Sequence, residues 1–171
     1  MQEFKSNIYF LKKLKLHHIV VSEETLDSFV NEKTKSKFNQ RFIITLNNTI
    51  TWQAGSTSLG DKTAYITISK ARMKASNVAL NDEVNVRLEL DSSKYGFQVP
   101  EEFTAVLEQD DMAKTLFEGL SMGKQRAIIY IVIQLKSSDK RIDKTLFLME
   151  NLKRAPAGKA TMRHVLGKDL D

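Results

Sequence analysis

From Val84 to Leu90 the chain alternates without a break. Val84, Val86, Leu88 and Leu90 fall on one side; Asn85, Arg87 and Glu89 fall on the other. A period of two predicts a half-buried strand. Phe4 to Leu11, His17 to Val21, Arg41 to Leu46, Thr49 to Gln53 and Thr63 to Ile68 are further strand candidates, rich in β-branched and aromatic residues. Asn47-Asn48 reads as the turn of a hairpin and Leu80 to Glu83 as a second turn. Asn31 to Gln40 and Ala54 to Lys62 read as loops. Ser22 looks like an N-cap ahead of Glu23 and Glu24, with Leu26, Phe29 and Val30 on one apolar face. Ser69 is placed in the same way before a short helix, Lys70 to Ala75. Either the chain repeats a strand, serine cap, helix and strand, with two halves closing one barrel, or the likeness is chance, since serine commonly follows a strand.

After Val99 the period changes to that of helices. Pro100 suits a first helical turn with Glu101 and Glu102 behind it, and Phe103, Val106 and Leu107 make the apolar face. Asp110 or Asp111 caps a second helix with Leu116, Phe117 and Leu120 inward. Ser121 opens a third, running to about Lys136. Ile128 to Ile133 alone would pass for a buried strand; length and the flanking helices favour a helix. Asp139 opens a fourth, with Ile142, Leu146, Met149 and Leu152 inward, stopped by Pro156 and Gly158. The predicted class is α+β: a small β-barrel domain over 1–98, a bundle of short helices over 99–154, and a basic flexible tail over 155–171.

Composition narrows the function little. The 171 residues carry a net charge of +5 and no cysteine, so disulfides, Cys-based zinc sites and thiol nucleophiles are excluded. The charge is uneven: +4 over 1–98, −5 over 99–120 and +6 over 121–171. An acidic segment beside a basic one predicts internal pairing or a basic face for a partner. The longest apolar run, Ala127 to Ile133, is too short to span a bilayer. The N-terminal apolar residues Ile8 to Leu11 precede their lysines, the reverse of a secretory signal, so a cytoplasmic protein is expected.

Several of these residues form an ordered series: Val99-Pro100-Glu101-Glu102-Phe103, Phe117, Leu120-Ser121, Lys124-Gln125-Arg126, Tyr130, Lys136, Arg141-Ile142, Lys144 and Leu152. This series resembles the YdeI/OmpD-associated family, also called bacteriocin-protection proteins. Gly60, Tyr65-Ile66-Thr67-Ile68-Ser69 and Leu80-Asn81-Asp82-Glu83-Val84-Asn85-Val86 resemble the small β-barrel domain of unknown function that often precedes that module. Asn81 stands where that domain usually has glycine, and a tryptophan often found near Tyr130 is absent. The resemblance implies a double-split barrel, similar to the AbrB-like DNA-binding proteins, and a role in tolerance of bacteriocins or antimicrobial peptides. It implies no reaction and no catalytic residue.

No catalytic, cofactor or metal constellation stands out. Gly55 to Thr63 nearly spells a phosphate-binding loop, but Asp61 intervenes before Lys62 and a strand follows. His17 and His18 are neighbours on a strand, so they point to opposite faces and cannot share a metal. His164 lies in the tail. Trp52 reads as barrel packing, or as a ligand-stacking ring at the barrel mouth. The remaining candidates are basic: Lys124 and Arg126 near the start of the third helix, Lys136 at its end, and Arg141 and Lys144 on one face of the fourth. Cations at helix starts oppose the helix dipole, so helix stability does not explain Lys124 or Arg141. Three function classes follow. The first is a non-enzymatic adaptor with a protein partner, the second a nucleic-acid binder, the third a small-molecule binder at the barrel mouth.

Overall fold

The computed structural model describes residues 1–32 and 34–168. The chain divides into two compact units, Met1–Gly96 and Phe97–Asp171.

The first unit is an antiparallel sheet of seven strands, curved into a half-barrel. The strands are β1 (Gln2–Asn7), β2 (Tyr9–Leu11), β3 (Leu16–Val21), β4 (Arg41–Leu46), β5 (Ile50–Ser58), β6 (Ala64–Ile68) and β7 (Glu83–Leu90). Their spatial order is β1-β7-β4-β5-β6-β3-β2. Two short helices, α1 (Glu23–Asp27) and α2 (Lys70–Ala75), link β3 to β4 and β6 to β7. The likeness of the two serine-capped segments has a structural counterpart. β3 pairs with β6, and β4 pairs with β7, so two strand-helix-strand units clasp each other. The Ser22 hydroxyl accepts from the Thr25 amide and that of Ser69 from the Arg72 amide, each capping its helix.

β5 is longer than its alternation predicts. Its first part, to Gly55, pairs with β4; Ser56 to Ser58 turn to pair with β6. Part of the Gly/Ser/Thr stretch expected as loop is therefore strand. Its polar residues are accommodated because Ser56 Oγ donates to the Phe38 carbonyl and accepts from the Gln40 amide. The Asn47-Asn48 turn has both φ angles positive, as a tight hairpin requires, and Asn81 is also left-handed at φ 71°. Inside, Ile8, Ile19, Ile44, Ile66 and Leu88 are wholly buried. Each such side chain contributes about 1.5–3 kcal/mol of transfer free energy. Val30 and Leu90, expected inward, are 49% and 41% exposed, because each lies past the point where its element leaves the core.

The second unit is helical: α3 (Glu101–Glu108), α4 (Asp111–Glu118), α5 (Met122–Ile133), α6 (Ser138–Arg154) and α7 (Met162–Val165). α6 is its hub and touches the other four. Phe103 and Phe117 meet edge-on at 5.1 Å, joining α3 to α4. Ile128 to Ile133 is helix, with Ile128, Ile129 and Val132 buried.

Two expectations about α6 and one about the segment after it need correction. The buried face of α6 is Thr145, Leu148, Met149 and Leu152, whereas Ile142 and Leu146 are 36% and 48% exposed. Thr145 goes inside because its hydroxyl donates to the Arg141 carbonyl at 2.7 Å, which satisfies it within its own helix. The cap is Ser137 and not Asp139, which sits in the first turn. The segment expected as a flexible tail holds α7, closed by a capping box between Thr161 and His164. Val165 is 1% exposed and its carbonyl accepts from Asn151 Nδ2 at 3.1 Å. A four-residue helix with one buried anchor leaves no period to read. Asp169 to Asp171 lie outside the described residues.

Candidate functional site

The basic residues singled out by the sequence separate into two groups. Lys124 Nζ donates to the Ala160 carbonyl at 2.6 Å and so ties α5 to the segment before α7. Arg141 Nε donates to the Leu135 carbonyl at 2.9 Å, filling one of the acceptors left open where α5 ends. Its Nη1 lies 3.4 Å from Glu102 Oε1. These contacts account for two cations at positions the helix dipole disfavours. The electrostatic match between the basic residues and the acidic segment is also present: Arg141 meets Glu102, and Lys153 lies 2.8 Å from Asp110 Oδ2.

The ionisation of these acids follows from their neighbours. The Glu102 carboxyl is held below the usual range by its own backbone amide, the Ser138 hydroxyl and Arg141, against a smaller opposing effect of burial. Asp110 is lowered chiefly by Lys153 and by the Ala113 amide it caps, and Lys153 is raised chiefly by Asp110 and then by Glu150. Both carboxylates are charged at neutral pH.

The second group faces water. Arg126 is exposed, and its guanidinium lies 5.6 Å from the centre of the Phe97 ring. Tyr130, one turn further along α5, is 57% exposed with its ring 6.4 Å from Phe97. Arginine, tyrosine and phenylalanine together on a surface have the composition of an interaction patch. Lys136 is exposed just past α5. Lys144 folds over Phe147, Nζ 4.7 Å from the ring centre. The five candidate cations are therefore not brought together as one site. Arg126 is the exposed one whose neighbourhood holds a pair of aromatic rings, Phe97 and Tyr130.

The junction that presents Arg126 is closed from inside. Buried Gln125 donates through Nε2 to the carbonyls of Glu118 (3.0 Å) and Leu120 (2.8 Å), ending α4 as α5 begins. Ser121 occupies the cap position without a side-chain cap bond. The sequence series contains Gln125 and Tyr130 but gives neither a role, and it leaves out Phe97. The signal for Tyr130 was available in its place at i+4 from Arg126, a spacing that sets both on one face.

In the first unit Trp52 is 6% exposed, with Arg72 stacked 5.2 Å from its ring centre. It is core, and its ring has no open face at a barrel mouth. His17 and His18 do point to opposite sides: His17 lies against Phe10, His18 between Tyr9 and Tyr65. Burial, and then the neighbouring charge of His17, push the His18 pKa down. The Gly55 to Thr63 stretch runs from the end of β5 to the start of β6, so it leads into a strand and not into a helix. Among the described residues no group of His, Asp and Glu is arranged to hold a metal, and no helix is long and apolar enough to cross a membrane.

An α+β protein is thus defined by a curved antiparallel sheet and a separate helical unit whose surface carries an Arg–aromatic patch. Most of the helical unit is similar to a known family. Residues 96–155 match the family model described as OmdA: bacteriocin-protection, YdeI or OmpD-associated. The match spans 60 of the 171 residues, so it likens the segment from α3 to α6 to that family and does not extend over the half-barrel. No curated protein and no solved structure matches the chain.

Proposed function

We propose that this protein is a non-enzymatic, cytoplasmic adaptor that acts through protein contacts in bacterial stress or bacteriocin tolerance. The observation that carries the reading is the Arg126–Phe97–Tyr130 patch on the family-matched helical unit. The pathway comes from the family's description alone. Protein contact is favoured over nucleic acid because Lys124, Arg141 and Lys153 are already engaged by carbonyls and carboxylates of the same unit. Phosphate binding would need such cations available, and its affinity would fall steeply with salt.

The test is affinity capture from cells with wild type and with Arg126→Ala. A partner recovered by wild type and depleted with Arg126→Ala supports the reading. Recovery of no partner by wild type, or of the same partner equally by both, rejects it. Binding of DNA or RNA at low salt that Arg126→Ala abolishes would move the assignment to nucleic acid.

A further inference from the structure

A groove of about 560 Å³ runs between α3 and α6, on residues that take no part in the Arg126 patch. Its floor is apolar: Ala105 and Val106 from α3, Ile142 and Leu146 from α6. Leaving two large aliphatic side chains this far in water forgoes the burial that the rest of α6 achieves. Their i, i+4 spacing makes them a continuous ledge along the helix.

The rims are acidic on both sides. Glu101, Glu102 and Asp110 line the α3 side. On α6 the exposed Asp139, Asp143 and Glu150 fall, by helical spacing, on the solvent side of Ile142 and Leu146. Arg141 and Lys153 neutralise part of this, each at one end of the groove, through Glu102 and through Asp110 with Glu150. Of the other α6 cations, Lys140 and Lys144 lie further round the helix beside Phe147, and Arg154 lies one turn beyond Glu150. An apolar floor with six carboxylates against two engaged cations has one complementary occupant: an apolar stripe flanked by positive charge.

We infer that this groove docks a cationic amphipathic helix of another polypeptide. The eight residues of α3 span about 12 Å, enough for two or three turns of a partner helix laying its i, i+4, i+7 side chains on the ledge. A second copy of this chain docking through the same face would set acidic rim against acidic rim, which disfavours self-association there. The inference rests on the protein-contact reading and names a partner class and a surface for it.

The experiment is fluorescence anisotropy of the full chain with a labelled Leu/Lys amphipathic helical peptide. The comparisons are a scrambled peptide of the same composition and the same peptide with Lys replaced by Glu. The amphipathic cationic peptide binds; the scrambled one is weaker by about tenfold or more, and the acidic one does not bind. Ile142→Ser with Leu146→Ser weakens binding by about tenfold or more, since two anchors lose their burial. Asp143→Lys weakens it severalfold and flattens its salt dependence. Circular dichroism of both variants matches wild type, because the altered residues lie on the surface. Equal binding of amphipathic and scrambled peptides overturns the inference. So does undiminished binding by the double variant, or a dimer in sedimentation that the double variant dissociates. Failure of the peptide with the Arg126-dependent partner still captured rejects the groove alone; failure of both rejects the adaptor reading with it.

Discussion

The two units treat their apolar residues differently. In the half-barrel the core is closed; of its exposed hydrophobics, Met1, Val30, Leu80 and Leu90 stand apart on edges and turns, while Tyr9 and Phe10 rest on His18 and His17 with Leu14 in the turn that follows. Scattered exposure of this kind is normal for a folded surface and points to no partner. In the helical unit Ile142 and Leu146 are exposed along one groove with Ala105 and Val106, Phe147 follows them on the same helix, and Tyr130 stands beside an arginine. Clustering beside charge marks a surface for contact. The half-barrel sets some of its cations on its own carboxylates, rings or carbonyls, as with Lys37 on Glu23 and Asp27, Arg72 on Trp52 and Arg41 on the Ser93 carbonyl. The helical unit spends some of its cations on internal carbonyls and leaves Arg126 outside. Both proposed contact surfaces, the Arg126 patch and the acidic groove, therefore lie on the helical unit.

The contrast is most open to attack within α6 itself. Leu148→Ala, at a site with no exposure, should cost about 2–5 kcal/mol, while Leu146→Ala, at 48% exposure, should cost no more than about 0.5 kcal/mol. Urea unfolding followed by hydrogen exchange in the helical unit reads both; equal costs would mean that Leu146 is a core residue and the groove is not a surface. A smaller effect is expected at Asn151, whose amide holds the Val165 carbonyl in a buried bond. Asn151→Ala should lose about 1–3 kcal/mol and speed exchange of the α7 amides, whereas unchanged protection there would show that α7 is held by other contacts.

The division of the cations can be sharpened in the same way. Arg141→Ala leaves the Leu135 carbonyl without its donor and should cost about 1 kcal/mol. Arg126→Ala should shift the unfolding midpoint much less and act on partner capture. The reverse ranking would exchange their roles.

The least effect is expected in the half-barrel, at His18. Its folded pKa lies below the unfolded value of about 6.5 because burial disfavours the charged ring. Above about pH 6.5 neither state is protonated and nothing is lost. As pH falls through that value the unfolded chain binds a proton that the folded chain refuses, so stability declines until the folded pKa is reached. His18→Phe should flatten that part of the pH profile. A profile unchanged by the substitution would assign the acid sensitivity to other groups.

Much of this arrangement was written locally. The alternation of Val84, Val86 and Leu88 describes β7 and its inward face, and Ser22 and Ser69 announce the helices they cap, because period and caps depend on neighbours a few residues away. The ordered series from Val99 to Leu152 located the helical module. The misreadings share a cause. The face of α6 was misphased because a satisfied Thr145 and an Asn151 bonded to α7 are polar residues that belong inside. β5 runs on through Ser56 to Ser58 because β6 lies there to pair with it. Lys124 and Arg141, binding candidates by sequence, donate to the carbonyls of Ala160 and Leu135, partners that local pattern does not name.

The sequence alone determined most of the elements, the change of period near Val99, and the two serine-capped helices; the pairing of their units came from the fold. Tertiary structure decided which polar groups find partners and which apolar groups do not. A hydrogen bond or a burial site is supplied by chain distant in sequence, and local pattern carries no record of it. That is why Leu120 to Arg126 was legible as a helix junction. Only the fold could show Lys124 turned inward, Gln125 closing the turn, and Arg126 left at the surface beside Phe97.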